Sequence, residues 1–216
     1  MPITHLLFDL DDTLYTGATG IFGEVGERIV AWTAHALGIS REAAADLRRE
    51  YFALYGTTLA GLRQHHPEVD LEDYLYAVHD VDVTQYLVPD SALGAMLSRL
   101  PARKVIFTNG ISEWAERILA QLEVREHFER IIDIRAVDYV GKPYPLVYAK
   151  ALALLGASGP ECVLLDDQAR NLQGGAAFGM RTILVREDSV PEDGVEFAAP
   201  HILAAEPYLW RLLGIG

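Results

Sequence analysis

The chain has 216 residues, half of them hydrophobic, which is enough for one domain carrying a large insertion or for two small domains. Its 31 acidic residues against 18 basic ones give a formal net charge of −13, which excludes general electrostatic capture of nucleic acid and disfavours anionic membranes. The N-terminal apolar run is short, has no basic residue ahead of it and is broken by Asp9, so neither a signal peptide nor a membrane span is expected, and a cytoplasmic location is the expectation.

Taken in chain order, ITHLLFD reads as a strand. From about residue 16 to residue 88 the pattern is helical and no convincing strand appears. IFGEVGERIVAWTAHALG sets Phe22, Val25, Ile29 and Trp32 on one face and closes at Gly38. Ser40 is placed to cap the next helix, which runs through Tyr51, Phe52 and Leu54. Gly56 and Thr57 mark a turn, and TLAGLRQHH and LEDYLYAVHD follow. Gly17, Gly20 and Gly23 flank the junction as a hinge. VPDSALGAMLSRLP returns the chain to the main unit, with Asp90 as N-cap.

Strands and helices then alternate. ARKVIFTN, RIIDIRA, ECVLLDD and RTILVRE read as strands. ISEWAERILAQLEV carries Trp114, Ile118, Leu119 and Leu122 at helical spacing. PYPLVYAKALALLG starts with Pro143 in its first turn and stops at Gly156, and ARNLQGGAAFGM is a short helix. Continuous apolar strands imply burial on both faces, hence an α/β fold: a doubly wound, Rossmann-like parallel sheet with an all-α insertion. The expected division is a core of residues 1–15 and 89–216 and a helical cap of residues 16–88.

Ligands of such sheets bind outside the carboxyl ends of the strands. There the first strand presents Asp9 and Asp11, the second Thr108 and Asn109, and the fourth Asp166 and Asp167, while Lys142 precedes the helix leading into that fourth strand. Each has a plainer reading alone: Thr108-Asn109-Gly110 as a turn and cap, Lys142 as a solvated loop lysine, and Asp166 and Asp167 as helix caps. A calcium loop starting at Asp9 fails, because Leu14 stands where its glycine belongs and Gly20 where its glutamate belongs. Jointly the groups suit phosphoryl chemistry. Carboxylates hold Mg²⁺, Lys142 and Thr108 take phosphate oxygens, one carboxylate attacks phosphorus, and an acid two residues on handles the proton.

With these residues in place, the chain resembles the haloacid dehalogenase superfamily. FDLDDTLY matches its first motif, Thr108 in FTNG its second, Lys142 in GKPYP its third and LLDDQARN its fourth. The helical insertion lies where that superfamily places its type-one cap. The resemblance implies Asp9 as the nucleophile that becomes an aspartyl phosphate. Asp11 is then general acid and base, with its backbone carbonyl on Mg²⁺. Thr108, Asn109 and Lys142 hold the phosphoryl group, and Thr13 stabilises the first loop and counts among the substrate-binding residues. Asp9, Asp11, Asp166 and Asp167 surround the metal, Asp167 directly and Asp166 close by or through water. Asp12 is left a structural role.

The second acid, Asp11, separates the chain from the dehalogenase branch, and a cap without lysine separates it from the phosphonatase branch. Within the phosphatases, FDLDDTLY, YGTTLAGL, LPARKVIFTNG and DDQARN resemble the pyrimidine 5′-nucleotidase group, which implies UMP or CMP as substrate. In YGTTLAGL, Thr57, Thr58 and Gly61 either face the active site or make a tight helix–helix turn. Sugar-phosphate or phosphoglycolate phosphatase and phosphomutase share the core. A phosphoacceptor signalling domain places its acid pair before the Thr and its Lys last, unlike this order. The aromatics Tyr51, Phe52, Tyr55, Tyr74 and Tyr76 read as packing or as a base-stacking platform. His65 and His66 read as cap surface, and Cys162 as buried and inert. The expected partner is a small phosphorylated substrate and the expected assembly a monomer or homodimer.

Overall fold

The computed structural model describes residues 1–188, 190 and 192–214. Six parallel strands form one sheet: β1 (His5–Phe8), β2 (Arg103–Phe107), β3 (Arg130–Ile132), β4 (Cys162–Asp166), β5 (Arg181–Val185) and β6 (Phe197–Ala199), in the order β3-β2-β1-β4-β5-β6. β1 is central, with Phe8 opposite Ile106 on one side and Leu165 on the other. Because successive residues point to opposite faces, the strands feed two cores. Leu6, Phe8 and Ile106 pack with Leu93, Met96, Ile118 and Leu119, while Leu7, Val105 and Phe107 pack with Val147, Tyr148, Ala151 and Leu172. The chain reverses direction across the sheet at β1 and β4, the crevice where doubly wound sheets bind ligands.

The five strands expected from the sequence are present, and β6 is an addition. Its three residues carry too little apolar pattern to be read, and they are recruited by pairing with β5. Helix α9 (Glu206–Leu213) was likewise not expected; it docks the buried Leu209 on the first core. One helix start is corrected. Helix α7 (Pro145–Leu155) begins after Tyr144, so Pro145 takes the first turn and Pro143 lies outside. Asn109 holds both the N–H and the carbonyl of Lys142, which keeps the segment around Pro143 out of the helix.

Between β1 and β2 stand α1 (Ile21–Leu37), α2 (Arg41–Tyr55), α3 (Thr58–His65) and α4 (Leu71–Val78), followed by α5 (Ser91–Arg99). Ser40 caps α2, Thr57 caps α3 and Asp70 caps α4, each accepting from first-turn backbone N–H groups. Asp90 caps α5 in the same way, as expected. No helix of the described residues is long and apolar enough to cross a membrane.

The helical insertion lies over the carboxyl ends of the strands and is tied to the sheet unit at several points. Glu72 of α4 receives Arg135 through two nitrogens, at 3.0 and 2.7 Å, and the Tyr139 hydroxyl at 2.6 Å. Arg63 donates to the Asp138 carbonyl, and Arg170 to the Phe52 carbonyl at the end of α2.

Gly61 belongs to the helix–helix contact. A β-carbon there would lie 2.1 Å from Tyr51 Cγ, inside α2 packing. Gly61→Ala is therefore expected to destabilise by about 1–3 kcal/mol in a denaturant melt, despite alanine's better helix propensity. A variant at least as stable as the parent would show that α2 and α3 can separate freely.

Candidate functional site

β1 is buried on both faces, and Asp9 follows it with its N–H still held by the Leu165 carbonyl at 2.9 Å. The Asp9 side chain lines the cleft at that crevice. The neighbouring strands deliver the rest. Asp166 ends β4 with no exposed surface, Asp167 is the next residue, and Thr108 follows β2.

Lys142 joins these elements. Its ammonium donates three hydrogen bonds, to Asp9 Oδ1 at 2.8 Å, Asp166 Oδ2 at 2.7 Å and the Phe107 carbonyl at 2.8 Å. Every N–H of the side chain is thus used, on a residue only 1% exposed. Burial lowers the lysine pKa, but Asp166 and then Asp9 outweigh it, and the net direction is upward. Asp9 moves the other way from a usual carboxylate. Burial raises it, Lys142 pulls it back, and Asp166 and Asp167 raise it again, leaving it well above the ordinary range.

The remaining expected residues divide into those that face the cleft and those that support it. Asp166 Oδ1 accepts from Gln168 N and Asn171 Nδ2, both at 2.9 Å, so this carboxylate is bonded through both oxygens. Asp167 is half-buried, and burial followed by Asp166 pushes it up to about 7. Thr108 is buried, and its Oγ1 accepts from Gly110 N at 2.9 Å, which leaves its proton for another acceptor. Asn109 lines the cleft, but its amide clamps the Lys142 backbone, accepting from N at 2.7 Å and donating to O at 3.3 Å. The geometry thus shows Asn109 positioning Lys142 from the cleft wall. Thr13 lies behind Asp9, 3.4 Å from its Oδ2, and lines a neighbouring cavity instead of the cleft. It sits against the loop that carries Asp9.

Asp11 lines the cleft, and one of its oxygens accepts from Trp114 Nε1 at 2.9 Å and from the Tyr15 hydroxyl. The sequence reading missed both donors as site residues. Tyr15 stands four residues on in the same motif, a signal that was available, whereas Trp114 read only as an apolar helix position. His79 was missed too. It is buried in the cleft wall, its Nδ1 donates to the Leu75 carbonyl, and burial lowers its pKa, which favours the neutral ring. Asp12 has φ 57°, and its buried Oδ1 has no partner among the described residues. Burial and then Asp11 push it up to about 6.

Asp9, Asp166 and Asp167 offer ligand oxygens that all lie within 4.8 Å of one another. An all-oxygen set with the usual geometry of carboxylates at a strand-end crevice fits a hard divalent cation such as Mg²⁺. The raised pKa values carry a signed consequence for the metal-free protein. The folded-state value of Asp167, about 7, lies above its ordinary 3.8, so its contribution to stability is fully present below about 4 and is lost as pH rises through 7. The melting temperature in chelator is expected to fall by a few degrees between pH 5 and pH 8. Added Mg²⁺ is expected to raise it more at pH 8 than at pH 5. An equal gain at both pH values would mean the cation binds away from these carboxylates.

The cleft itself is a cavity of about 180 Å³. Its floor is Asp9, Asp11, Thr108, Lys142 and Asp167, and its roof comes from the helical insertion. Thr57 and Thr58 of YGTTLAGL line it, while Gly61 does not. So the stretch divides between the two readings it allowed: the threonines face the site and the glycine serves packing.

The comparisons with known proteins agree with this architecture. A phosphoglycolate phosphatase of Pectobacterium atrosepticum is 26% identical over 207 residues, covering 93% of this chain and 88% of that protein. Phosphate metabolism protein 8 of Saccharomyces cerevisiae is 24% identical over 194 residues, and the match spans 82% of this chain but 60% of the yeast protein. Among solved structures, CbbY from Rhodobacter sphaeroides in complex with phosphate superposes with a TM-score of 0.67 at 21% identity, over 94% of this chain and 96% of that one. The family model of haloacid dehalogenase-like hydrolases matches residues 3–179. That span holds all four strand-end motifs and the helical insertion, and the chain belongs to the haloacid dehalogenase-like hydrolase family.

Proposed function

We propose that this hydrolase is a Mg²⁺-dependent phosphomonoesterase that works through a phosphorylated Asp9. The observation that carries the reading is the buried ammonium of Lys142, bonded at once to Asp9 and Asp166 at the crevice of the sheet. It fixes the Asp9 carboxylate against rotation and places a positive charge beside the position of the phosphoryl group. Asp9, Asp166 and Asp167 would hold the Mg²⁺, which would supply the charge neutralisation that lets an anionic ester approach an anionic carboxylate.

An oxygen of Asp9 attacks phosphorus, and the bond between phosphorus and the ester oxygen breaks. Asp11 gives its proton to that leaving oxygen, which departs as an alcohol. In the second half Asp11 takes a proton from water as the water oxygen attacks phosphorus. The Asp9–phosphorus bond breaks, inorganic phosphate leaves, and both carboxylates return to their starting state. Trp114 and Tyr15 hold one oxygen of Asp11 throughout, which aims the other at the cleft. The Thr108 hydroxyl donates its free proton to a phosphoryl oxygen, and Asn109 keeps Lys142 in register.

Phosphate release from a panel of monoesters, with Mg²⁺ and with chelator, tests the reading. The expected result is release that chelator abolishes. Release undiminished by chelator would overturn the metal dependence, and interconversion of phosphate positions without net release would make the protein a mutase. The narrower expectation of a pyrimidine nucleoside monophosphate is supported by the motif resemblance and enters the panel as UMP and CMP.

A further inference from the structure

The roof of the cleft is apolar on most of its surface, with Phe22, Val25 and Ile29 of α1 and Leu75 and Val78 of α4. Arg48 of α2 interrupts it. Of the 18 lysines and arginines in the chain, only Arg48 and Arg211 form no side-chain hydrogen bond or ion pair among the described residues. Arg211 is exposed and lies over the Phe197 ring. Arg48 is half-buried, in a chain with a large excess of carboxylates, and still has no acidic partner.

The neighbouring helix makes room for this guanidinium. Gly26 is buried in the middle of α1, where a glycine weakens the helix relative to alanine. A β-carbon at that position would lie 2.7 Å from Arg48 Nη2 and 3.1 Å from its Cζ. The backbone of α1 is thus left bare where the guanidinium crosses it. The other cations at the cleft are already committed. Lys142 is saturated by Asp9, Asp166 and a carbonyl, and Arg170 donates to the carbonyls of Phe52 and Gly56.

We propose that Arg48 is the specificity-determining residue of the cap, and that it receives a second anionic group carried by the leaving alcohol of the phosphomonoester. The inference rests on the phosphomonoesterase reading and goes beyond it by naming the substrate class: short esters anionic at both ends. One end meets the metal and the Thr108 hydroxyl on the floor, and the other meets the fork of Arg48 in the roof. A guanidinium suits a carboxylate or a phosphate equally, because both present two oxygens to its paired N–H groups. The apolar wall around it strengthens the contact by excluding water. A nucleoside monophosphate, with a neutral base at its far end, offers this charge only carbonyl acceptors, which bind it more weakly than an anion does.

The test compares matched esters that differ only at the far end, 2-phosphoglycolate against ethyl phosphate, with UMP as a third arm. Phosphate release is measured at saturating Mg²⁺ for the parent, Arg48→Gln and Arg48→Lys. In the parent, kcat/KM for phosphoglycolate is expected to exceed that for ethyl phosphate by about 10- to 100-fold, the range of a charge-assisted hydrogen bond. Arg48→Gln is expected to bring that ratio near one, mainly through KM, and Arg48→Lys to restore part of it. Gly26→Ala is a second variant that displaces the guanidinium and is expected to lower the same ratio while keeping the charge.

A ratio unchanged by Arg48→Gln, or a parent preference for UMP, would overturn the inference while leaving the phosphomonoesterase reading in place. Failure of the parent to release phosphate from any ester would overturn both.

Discussion

Asp9→Asn is expected to lower phosphate release by about 10⁴- to 10⁶-fold, the range seen when an enzyme nucleophile is removed. An amide oxygen is a poor nucleophile, and no other carboxylate replaces it in place. Asp166 is bonded through both oxygens, and Asp11 is held by Trp114 and Tyr15. The same change is not expected to weaken the fold. Burial, Asp166 and Asp167 all oppose ionisation of Asp9, so its charge is a burden on the metal-free protein. Asparagine keeps an acceptor for Lys142 and removes that burden. Initial-rate phosphate assays together with thermal melts in chelator check both halves. Turnover surviving in this variant would remove Asp9 from the chemistry, and a large drop in melting temperature would assign it to structure.

Lys142→Met carries the largest expected effect on stability. It leaves Asp9 and Asp166 facing each other in a buried crevice with no cation between them, along with an unpaired Phe107 carbonyl. Breaking a buried ion pair from one side costs about 3–5 kcal/mol, and here a single cation serves two carboxylates. At roughly 2–4 °C per kcal/mol for a chain of this size, the melting temperature is expected to fall by about 6–20 °C. Adding Asp166→Asn to this variant is expected to recover part of the loss, because it removes one of the two stranded charges. A denaturant melt of parent, single and double variants measures the coupling directly. If the single variant is as stable as the parent, Lys142 is not the cation that holds these carboxylates together. Loss of phosphatase activity is expected in both variants, since neither keeps a positive charge beside the phosphoryl position.

Asp12 shows how a backbone fact refines a substitution. Its positive φ lies in the left-handed region, where aspartate, asparagine and glycine are at ease and alanine is strained. Asp12→Asn therefore isolates the loss of charge, and Asp12→Ala mixes that loss with backbone strain.

Much of the candidate site is legible in the sequence, for a simple reason. A parallel strand buried on both faces is a run of apolar residues, and a polar residue at its end is visible against that run. Asp9 after HLLF, Thr108 after KVIF and Asp166 after CVLL stand out in this way. Parallel pairing then puts all three strand ends on one side of the sheet. β6 escaped notice because its three residues carry no periodicity of their own and are recruited by pairing with β5. α9 left a readable signal, since Tyr208, Leu209, Leu212 and Leu213 in EPYLWRLL stand at helical spacing and pack on the first core.

The α/β class, the order of the strand-end motifs, the helical insertion and the identity of the strand-end carboxylates are written in local runs and spacings. How those groups meet one another is set by packing between distant elements. Lys142 sits between Asp9 and Asp166, Asn109 clamps the lysine backbone, Trp114 reaches Asp11 across 103 positions of chain, and Arg48 is left without an acid beneath a bare stretch of α1. These are contacts between elements far apart in the chain, set by which faces pack and how closely. No local pattern encodes the point at which two buried side chains meet.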